Sequence, residues 1–440
     1  MATVGTLQTM LRQEVGSRLS VVVLLGSILL GVAVAAFSPV LVVAAVCGLL
    51  WSAWLLSSWR WAALATVAVV VAVPRYAYSA GGLTVTTERV VLPIVGALLV
   101  LEVLGSRRAV LRLGWGHLGL AIFIAANAAG AVVNAPSALD SLRTTLLIAV
   151  ASLPFWILPN LARDWRAVQY AFRLLVVLGT LEAGFGILAS VVYAATGVNL
   201  GMQIDPLTKA AVPYGSQWEG NTFGSFVAAT LVATLGWRLT SKRWLKGRMI
   251  VNMALAVMAV GLVLSLSRGA WLGAVAGLVV ALVCLGRWRL LMAGALIGAA
   301  LFTMVAAQAG QSTDGPLSPV TQRLVRIVAP LQGTLDATTS ERFLFYGVAL
   351  AEWRERPIVG WGAGSFGQMH RYVSVDAPAW LDNLEIHALH DSGIIGLVGL
   401  LMAVVGTPVA VLLRARRGRR EGDDEVGTLV GLVGGCVALL

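Results

Sequence analysis

The stretch Asp382-Asn-Leu-Glu-Ile-His-Ala-Leu-His-Asp391 runs straight into Ser392-Gly-Ile-Ile-Gly396 and on through an apolar segment to Leu413. Asp382, Glu385, His387, His390 and Asp391 thus crowd the mouth of a segment of about 20 apolar residues, the length that crosses a bilayer. Upstream, residues 309–391 are polar and hold three of the four histidines. Before residue 309 the chain is a near-unbroken series of apolar runs. The passage therefore describes a chain that lives in lipid, leaves it over one long loop, and returns.

Composition agrees. Hydrophobic residues make up 58% and charged residues 12%, and mean hydropathy is +0.85. A soluble domain carries about 25% charged residues, so this chain cannot coat a globule in water. Its 48 glycines suit helices that associate by close backbone approach. The expected fold class is an all-α integral membrane protein of about 12 transmembrane helices, each needing about 20 apolar residues. One large extracytoplasmic loop subdomain lies between late helices. Spans are expected near 18–36, 39–58, 61–79, 88–105, 116–134, 143–161, 168–195, 222–239, 248–266, 269–286, 289–308 and 393–413. This divides the chain into a multi-span domain (1–308), the external loop with amphipathic helices (309–391) and a C-terminal part (392–440). The apolar piece 427–440 is too short to cross, so it is re-entrant or the start of a helix. Arg12 and Arg18 precede an apolar run ending in Val32-Ala-Val-Ala-Ala36, which another span follows directly; a retained first span is expected in place of a cleaved signal.

The net charge of +11 invites a nucleic-acid reading, and its placement refuses it. Most of the 32 lysines and arginines fall in short loops on one side of the span map, including the dense run Arg414–Arg420. That is the charge bias of cytoplasmic loops. It puts the N-terminus on the cytoplasmic side and Arg268, loop 196–221 and loop 309–391 on the extracytoplasmic side of the membrane. Cys47, Cys284 and Cys436 all lie in apolar stretches and form no metal or disulfide motif.

Several polar groups face the outer side. Arg268, in Ser265-Leu-Ser-Arg-Gly269, sits at the edge of the hydrocarbon, where a guanidinium either holds a phosphate or snorkels to headgroups. Thr338-Thr-Ser-Glu341 reads as a capping box. It opens a surface helix over 340–356, with Phe343, Gly347, Leu350 and Ala351 as its apolar face. Arg342 starts that helix and is either a second phosphate clamp or a surface ion-pair partner. Val320–Pro330 is a candidate shorter helix. Pro357-Ile-Val-Gly-Trp-Gly-Ala-Gly-Ser-Phe366 is a glycine turn that lets backbones pack closely or offers N–H groups to an anion. Asp382, His387 and His390 are candidates for removing a proton from a hydroxyl. His387 and His390 with Asp391 make only a weak metal motif, and no metal is expected. Asn221 caps a helix or bonds sugar hydroxyls; His117 is structural. There is no phosphate-binding loop, nucleophile elbow or redox centre, which points away from nucleotide-driven and covalent hydrolase chemistry.

Ser267-Arg268-Gly269, Arg342, the run Pro357-x-x-Gly360-x-Gly362-x-Gly364-x-Phe366, and Asn383 followed after nine residues by Gly393-x-x-Gly396 together resemble the O-antigen ligase and O-antigen polymerase superfamily, GT-C-type membrane glycosyltransferases. Asn221 in Glu-Gly-Asn-Thr-Phe is similar to a further family position. The resemblance is firmest over 215–413. It implies a donor glycan on undecaprenyl diphosphate, with Arg268 and Arg342 holding the diphosphate and Asn221 and Asn383 near the glycan. Transfer would be inverting, to a hydroxyl acceptor, with no cofactor, metal or ATP. Ligases of the family commonly begin the last motif with His-Asn; here Asp382 stands in that place, which leaves the base open among Asp382, His387 and His390. A lipid A-core or other surface acceptor would make the protein a ligase, and a second lipid-linked glycan would make it a polymerase. A transporter is the rival from another class. The chain shows no repeat, and its polar groups gather at one surface instead of the midplane.

Overall fold

The computed structural model describes residues 39–72, 77–80, 83–105, 111–204, 210–217, 219–240, 248–294, 296, 298, 337–370, 381–418, 429–430 and 432–436. The expected span 18–36, most of 289–308 and the short helix at 320–330 lie outside the described residues. Two compact units divide the chain, Met1–Ala68 with Leu161–Ala171, and Val69–Asn160 with Phe172–Leu440.

The first unit contains most of α1 (Pro39–Ala72), which is interrupted at Ser58 (φ −149°, ψ 57°). Spans at 39–58 and 61–79 were expected, and the break falls between them. The Trp51 indole donates to Thr66 Oγ1 across it at 2.6 Å, and Trp61 packs edge-on against Tyr170. The second half ends at Ala72 instead of residue 79. Pro74 brings no N–H to continue the ladder and disfavours helical backbone before it.

The second unit begins with the antiparallel hairpin β1 (Ala77–Ala80) and β2 (Leu83–Thr86). There follow α2 (Thr87–Gly105), α3 (Trp115–Val133), α4 (Ala138–Ala151) and α5 (Leu153–Leu161). Next come α6 (Trp165–Thr196), the hairpin β3 (Met202–Ile204) and β4 (Ala211–Pro213), α7 (Gly220–Thr240), α8 (Arg248–Leu264) and α9 (Arg268–Cys284). The chain closes with α10 (Ala337–Glu355), α11 (Ser365–His370), α12 (Leu384–Val404) and α13 (Gly406–Gly418). The two hairpins depart from an all-α reading, but each is an isolated ribbon in a connection. Helices dominate because backbone groups in lipid must bond within their own segment.

Among the described residues, five helices are long and apolar enough to cross a bilayer: Trp115–Val133, Ala138–Leu161, Trp165–Thr196, Gly220–Leu239 and Leu384–Leu413. Ser57–Ala72, Met249–Leu264 and Arg268–Cys284 are shorter apolar helices. α2 covers the expected span 88–105, yet it carries Glu88, Arg89 and Glu102.

Two packed groups position everything that follows. In one, α7, α8 and α9 enclose Phe223, Val227, Met258 and Ala270. Val430 joins them, and in the helical residues 432–436 a Cβ on Gly434 would meet the Gly277 carbonyl oxygen at 2.8 Å. In the other, α3 crosses α12 backbone to backbone. A Cβ on Gly119 would lie 2.5 Å from the Gly399 carbonyl oxygen, and one on Gly399 2.6 Å from that of Gly119. Leu120, Phe123, Ala388, Leu400 and Ala403 fill the space around the crossing. Small residues at a crossing are what helix association in lipid demands. His117 is structural: its Nδ1 accepts from the Gly114 N–H at 2.9 Å, and Phe155 and Trp156 pack on its ring.

Candidate functional site

The site is built on the first turns of α12. Asn383 caps that helix, its side chain accepting from the Ile386 N–H at 2.8 Å, so α12 starts nine residues before Gly393, where re-entry into the membrane was expected. His387, His390 and Asp391 are therefore helical, and all three are buried. The helix is broken at Gly393 (φ 63°, ψ −167°), and the glycine turn 357–364 mends the break. Ile394 and Ile395 donate to the carbonyls of Pro357 and Ile358, while Trp361 and Gly362 donate to those of His390 and Asp391. Gly360, Gly362 and Gly364 all take positive φ, and at Gly360 a Cβ would meet the His390 carbonyl oxygen at 2.5 Å. The close-packing reading of this turn holds, and one of its N–H groups is used inside the protein. The Gly364 N–H donates to Asp391 Oδ2 at 2.7 Å.

Asp391 is the centre of a chain of alternating imidazoles and carboxylates. His387 Nε2 lies 3.0 Å from its Oδ2 and His390 Nδ1 2.8 Å from its Oδ1, with the Ser365 hydroxyl at 3.3 Å. The other nitrogen of His390, Nε2, lies 3.0 Å from Glu352 Oε2 on α10. Glu352 Oε1 in turn lies 2.7 Å from His370 Nε2 on α11. The order is His387, Asp391, His390, Glu352, His370. An imidazole carries a nitrogen on each side of its ring, so His390 bridges Asp391 and Glu352. Exposure rises along the chain: the His390 side chain is 0% exposed, Glu352 20% and His370 27%. Sequence reasoning missed Glu352 and His370 as members. The signal for Glu352 was its place on the packed face of α10, which is distinct from the apolar face read from the sequence as lying on the membrane surface. Phe345, Tyr346 and Ala349 face the core with Phe366 and Leu381, whereas Phe343 is 57% exposed and Gly347 is exposed.

At the N-terminal ends of α10 and α12 Arg342 Nε lies 2.8 Å from Asp382 Oδ2, with 41% and 53% of the two side chains exposed. Tyr346, one turn on, has its phenol pushed above the usual range by burial first and then by the Asp382 charge, so it is a hydroxyl donor at neutral pH. Arg356 covers the Trp361 ring, and the Trp361 indole donates to the Glu352 carbonyl at 2.9 Å.

The structure thus brings Arg342, Asp382, His387 and His390 into one assembly and places Arg268 in the other packed group. There the turn from α8 to α9 is tight. Leu266 has φ 48°, Ser267 Oγ caps α9 by accepting from the Ala270 N–H, and Arg268 opens the helix. A guanidinium on a helix N-terminus is a good anion site. Asn221 does not cap α7. It sits inside the first turn, exposed, with its amide on Glu219 Oε1 at 3.1 Å. Among the described residues no cluster of His, Cys, Asp or Glu has the arrangement of a metal site.

These features define a polytopic helical membrane protein with a buried histidine–carboxylate chain beneath an exposed arginine. The model of the O-antigen ligase family matches residues 253–401, from within α8 to within α12. The matched stretch is about a third of the chain, is similar to that family of membrane glycosyltransferases, and contains every site residue above except Asn221. No curated protein matches the chain.

Proposed function

We propose that the protein transfers a glycan from undecaprenyl diphosphate to a hydroxyl acceptor at the outer face of the bacterial cytoplasmic membrane. The observation that carries this reading is the Arg342–Asp382 pair, set in the matched domain over the buried chain. An ion pair this exposed contributes about 0–1 kcal/mol, so a diphosphate can take Arg342 from Asp382 at little cost. Guanidinium holds phosphate in two parallel hydrogen bonds and stays charged at any pH the cell reaches. Charge that develops on the leaving diphosphate is then met by a fixed cation, and by Arg268 as a second. The charge bias of the basic loops supports an outer location for this face. Asp382 holds Arg342 in place until donor arrives. His387 and His390 lie too deep to touch an acceptor and act through Asp391 and Glu352.

The test is transfer in liposomes from an undecaprenyl diphosphate-linked glycan to lipid A-core or, separately, to a second lipid-linked glycan. Arg342→Ala is expected to lose roughly 100-fold or more in turnover, the scale for removing one preorganised charge partner. Its melting temperature should stay within about a degree of wild type, because the pair is exposed. A wild-type protein that transfers to neither acceptor, or an Arg342→Ala variant of full activity, rejects the reading. The productive acceptor separates ligase from polymerase.

A further inference from the structure

We propose that His370 is the general base, oriented by Glu352; this rests on the transfer reading above. The acceptor hydroxyl must lose its proton to a group that can reach it. His390, with no exposed surface, and His387, at 6%, cannot. Asp382 is exposed and is freed when donor takes Arg342, but it stands at the guanidinium that meets the diphosphate, on the leaving-group side, whereas an inverting transfer brings the acceptor from the opposite face. His370 is the one imidazole of the chain that is both partly exposed and held from behind by a carboxylate. Its Nε2 is fixed on Glu352 at 2.7 Å, and Phe366 packs against its ring with centroids 4.5 Å apart. Those two contacts set the ring and leave Nδ1 as the nitrogen for the acceptor.

The support behind it is rigid. α11 is fastened at its start by Ser365 on Asp391 and in its middle by Gln368, whose Oε1 accepts from the Ser137 N–H at 3.1 Å. Glu352 is itself gripped from its other oxygen by His390. A base aimed by a carboxylate that is in turn aimed by a third group is the general arrangement of an activated nucleophile system.

The step balances. The acceptor oxygen attacks the anomeric carbon, and its O–H proton passes to His370 Nδ1. The bond from the anomeric carbon to the diphosphate oxygen breaks with its electron pair on the diphosphate, which Arg342 meets. The imidazolium formed at His370 is stabilised by Glu352.

The experiment compares wild type, His370→Ala, His370→Gln and Glu352→Gln in the liposome transfer assay, with donor binding measured separately. His370→Ala and His370→Gln are expected to lose roughly 100-fold or more in turnover at saturating donor, the scale of general-base catalysis, with donor affinity unchanged. Added imidazole should restore part of the His370→Ala rate and none of the wild-type rate. Glu352→Gln should lose less and gain nothing from imidazole. Wild-type turnover in either His370 variant, or a loss found wholly in donor affinity, or no rescue by imidazole in a His370→Ala protein that binds donor normally, overturns the assignment and leaves the transfer reading standing. A wild type that transfers to no acceptor takes down both.

Discussion

Asp391→Asn is expected to lower thermal stability more than any other single polar substitution in the site. Its carboxylate, 3% exposed, accepts from the Gly364 N–H, the Ser365 hydroxyl, His387 and His390 at 2.7–3.3 Å. Asparagine keeps one acceptor oxygen and puts an NH2 group where the other stood. That group would face the Gly364 N–H and His387, or else His390 and the Ser365 hydroxyl, where only a hydroxyl or a neutral imidazole could accept from it. Removing one partner of a buried charge pair costs about 3–5 kcal/mol, because the remaining charge is left unpaired out of water. The unfilled bonds of Gly364 and Ser365 add to this, at about 1–3 kcal/mol for each buried group left unsatisfied. The measurement is thermal unfolding of purified protein in detergent, by intrinsic tryptophan fluorescence, with retained apparent size as a check. The expected result is a fall of several degrees. A variant within one degree of wild type would mean that Asp391 is not the keystone. His390→Phe alone should also destabilise, and combining it with Asp391→Asn should cost less than the sum, since the double change removes a charge along with its partner.

The chain of charges explains why so much of this site was out of reach of sequence reading. Spans are local: a run of apolar residues declares itself, and the interruption at Ser58 falls where the pattern falters. Asp382, His387 and His390 stood out because they crowd one decamer. Their partners do not. Glu352 and His390 are 38 positions apart, and Glu352 meets His370 across a glycine turn whose path no periodicity announces. The packed face of α10 escaped notice for a related reason. Phe343, Gly347, Leu350 and Ala351 repeat at helical spacing, but in a membrane surface helix apolar residues suit lipid as well as a core. Periodicity then finds the helix and leaves open which side packs. Asn383 shows the opposite limit. It falls in a family-like motif, and the structure gives it a helix cap that needs no glycan to explain it. At the exposed edge of the site the sequence offered Arg342 as an ion-pair partner, and the structure supplies what no local pattern could, the identity of its acid, Asp382.

Gly393→Ala is expected to have the second large effect, and the reason is backbone geometry. With φ 63° and ψ −167°, this residue sits in a region open essentially to glycine alone, where another residue costs about 1–3 kcal/mol in strain. Space is a further obstacle. A Cβ would stand 2.3 Å from the Ile358 carbonyl oxygen and 2.6 Å from the Val359 nitrogen. Those atoms belong to the main chain of the turn, so no side chain can swing aside. Either the turn retreats or α12 straightens. Both outcomes break the bonds from Ile394 and Ile395 to Pro357 and Ile358 and draw Gly364 away from Asp391. The loss at one glycine therefore spreads to the buried chain, and through Glu352 to His370. The expected result is transfer below detection together with a melting temperature reduced by several degrees. Gly347→Ala is the control. No atom lies within 4 Å of a Cβ there, and alanine within an exposed helix is favoured over glycine by about 0.5–1 kcal/mol. Its activity and stability should match or slightly exceed wild type. Equal behaviour of the two variants would show that the turn does not hold α12 in the broken form on which the placing of Asp391 depends.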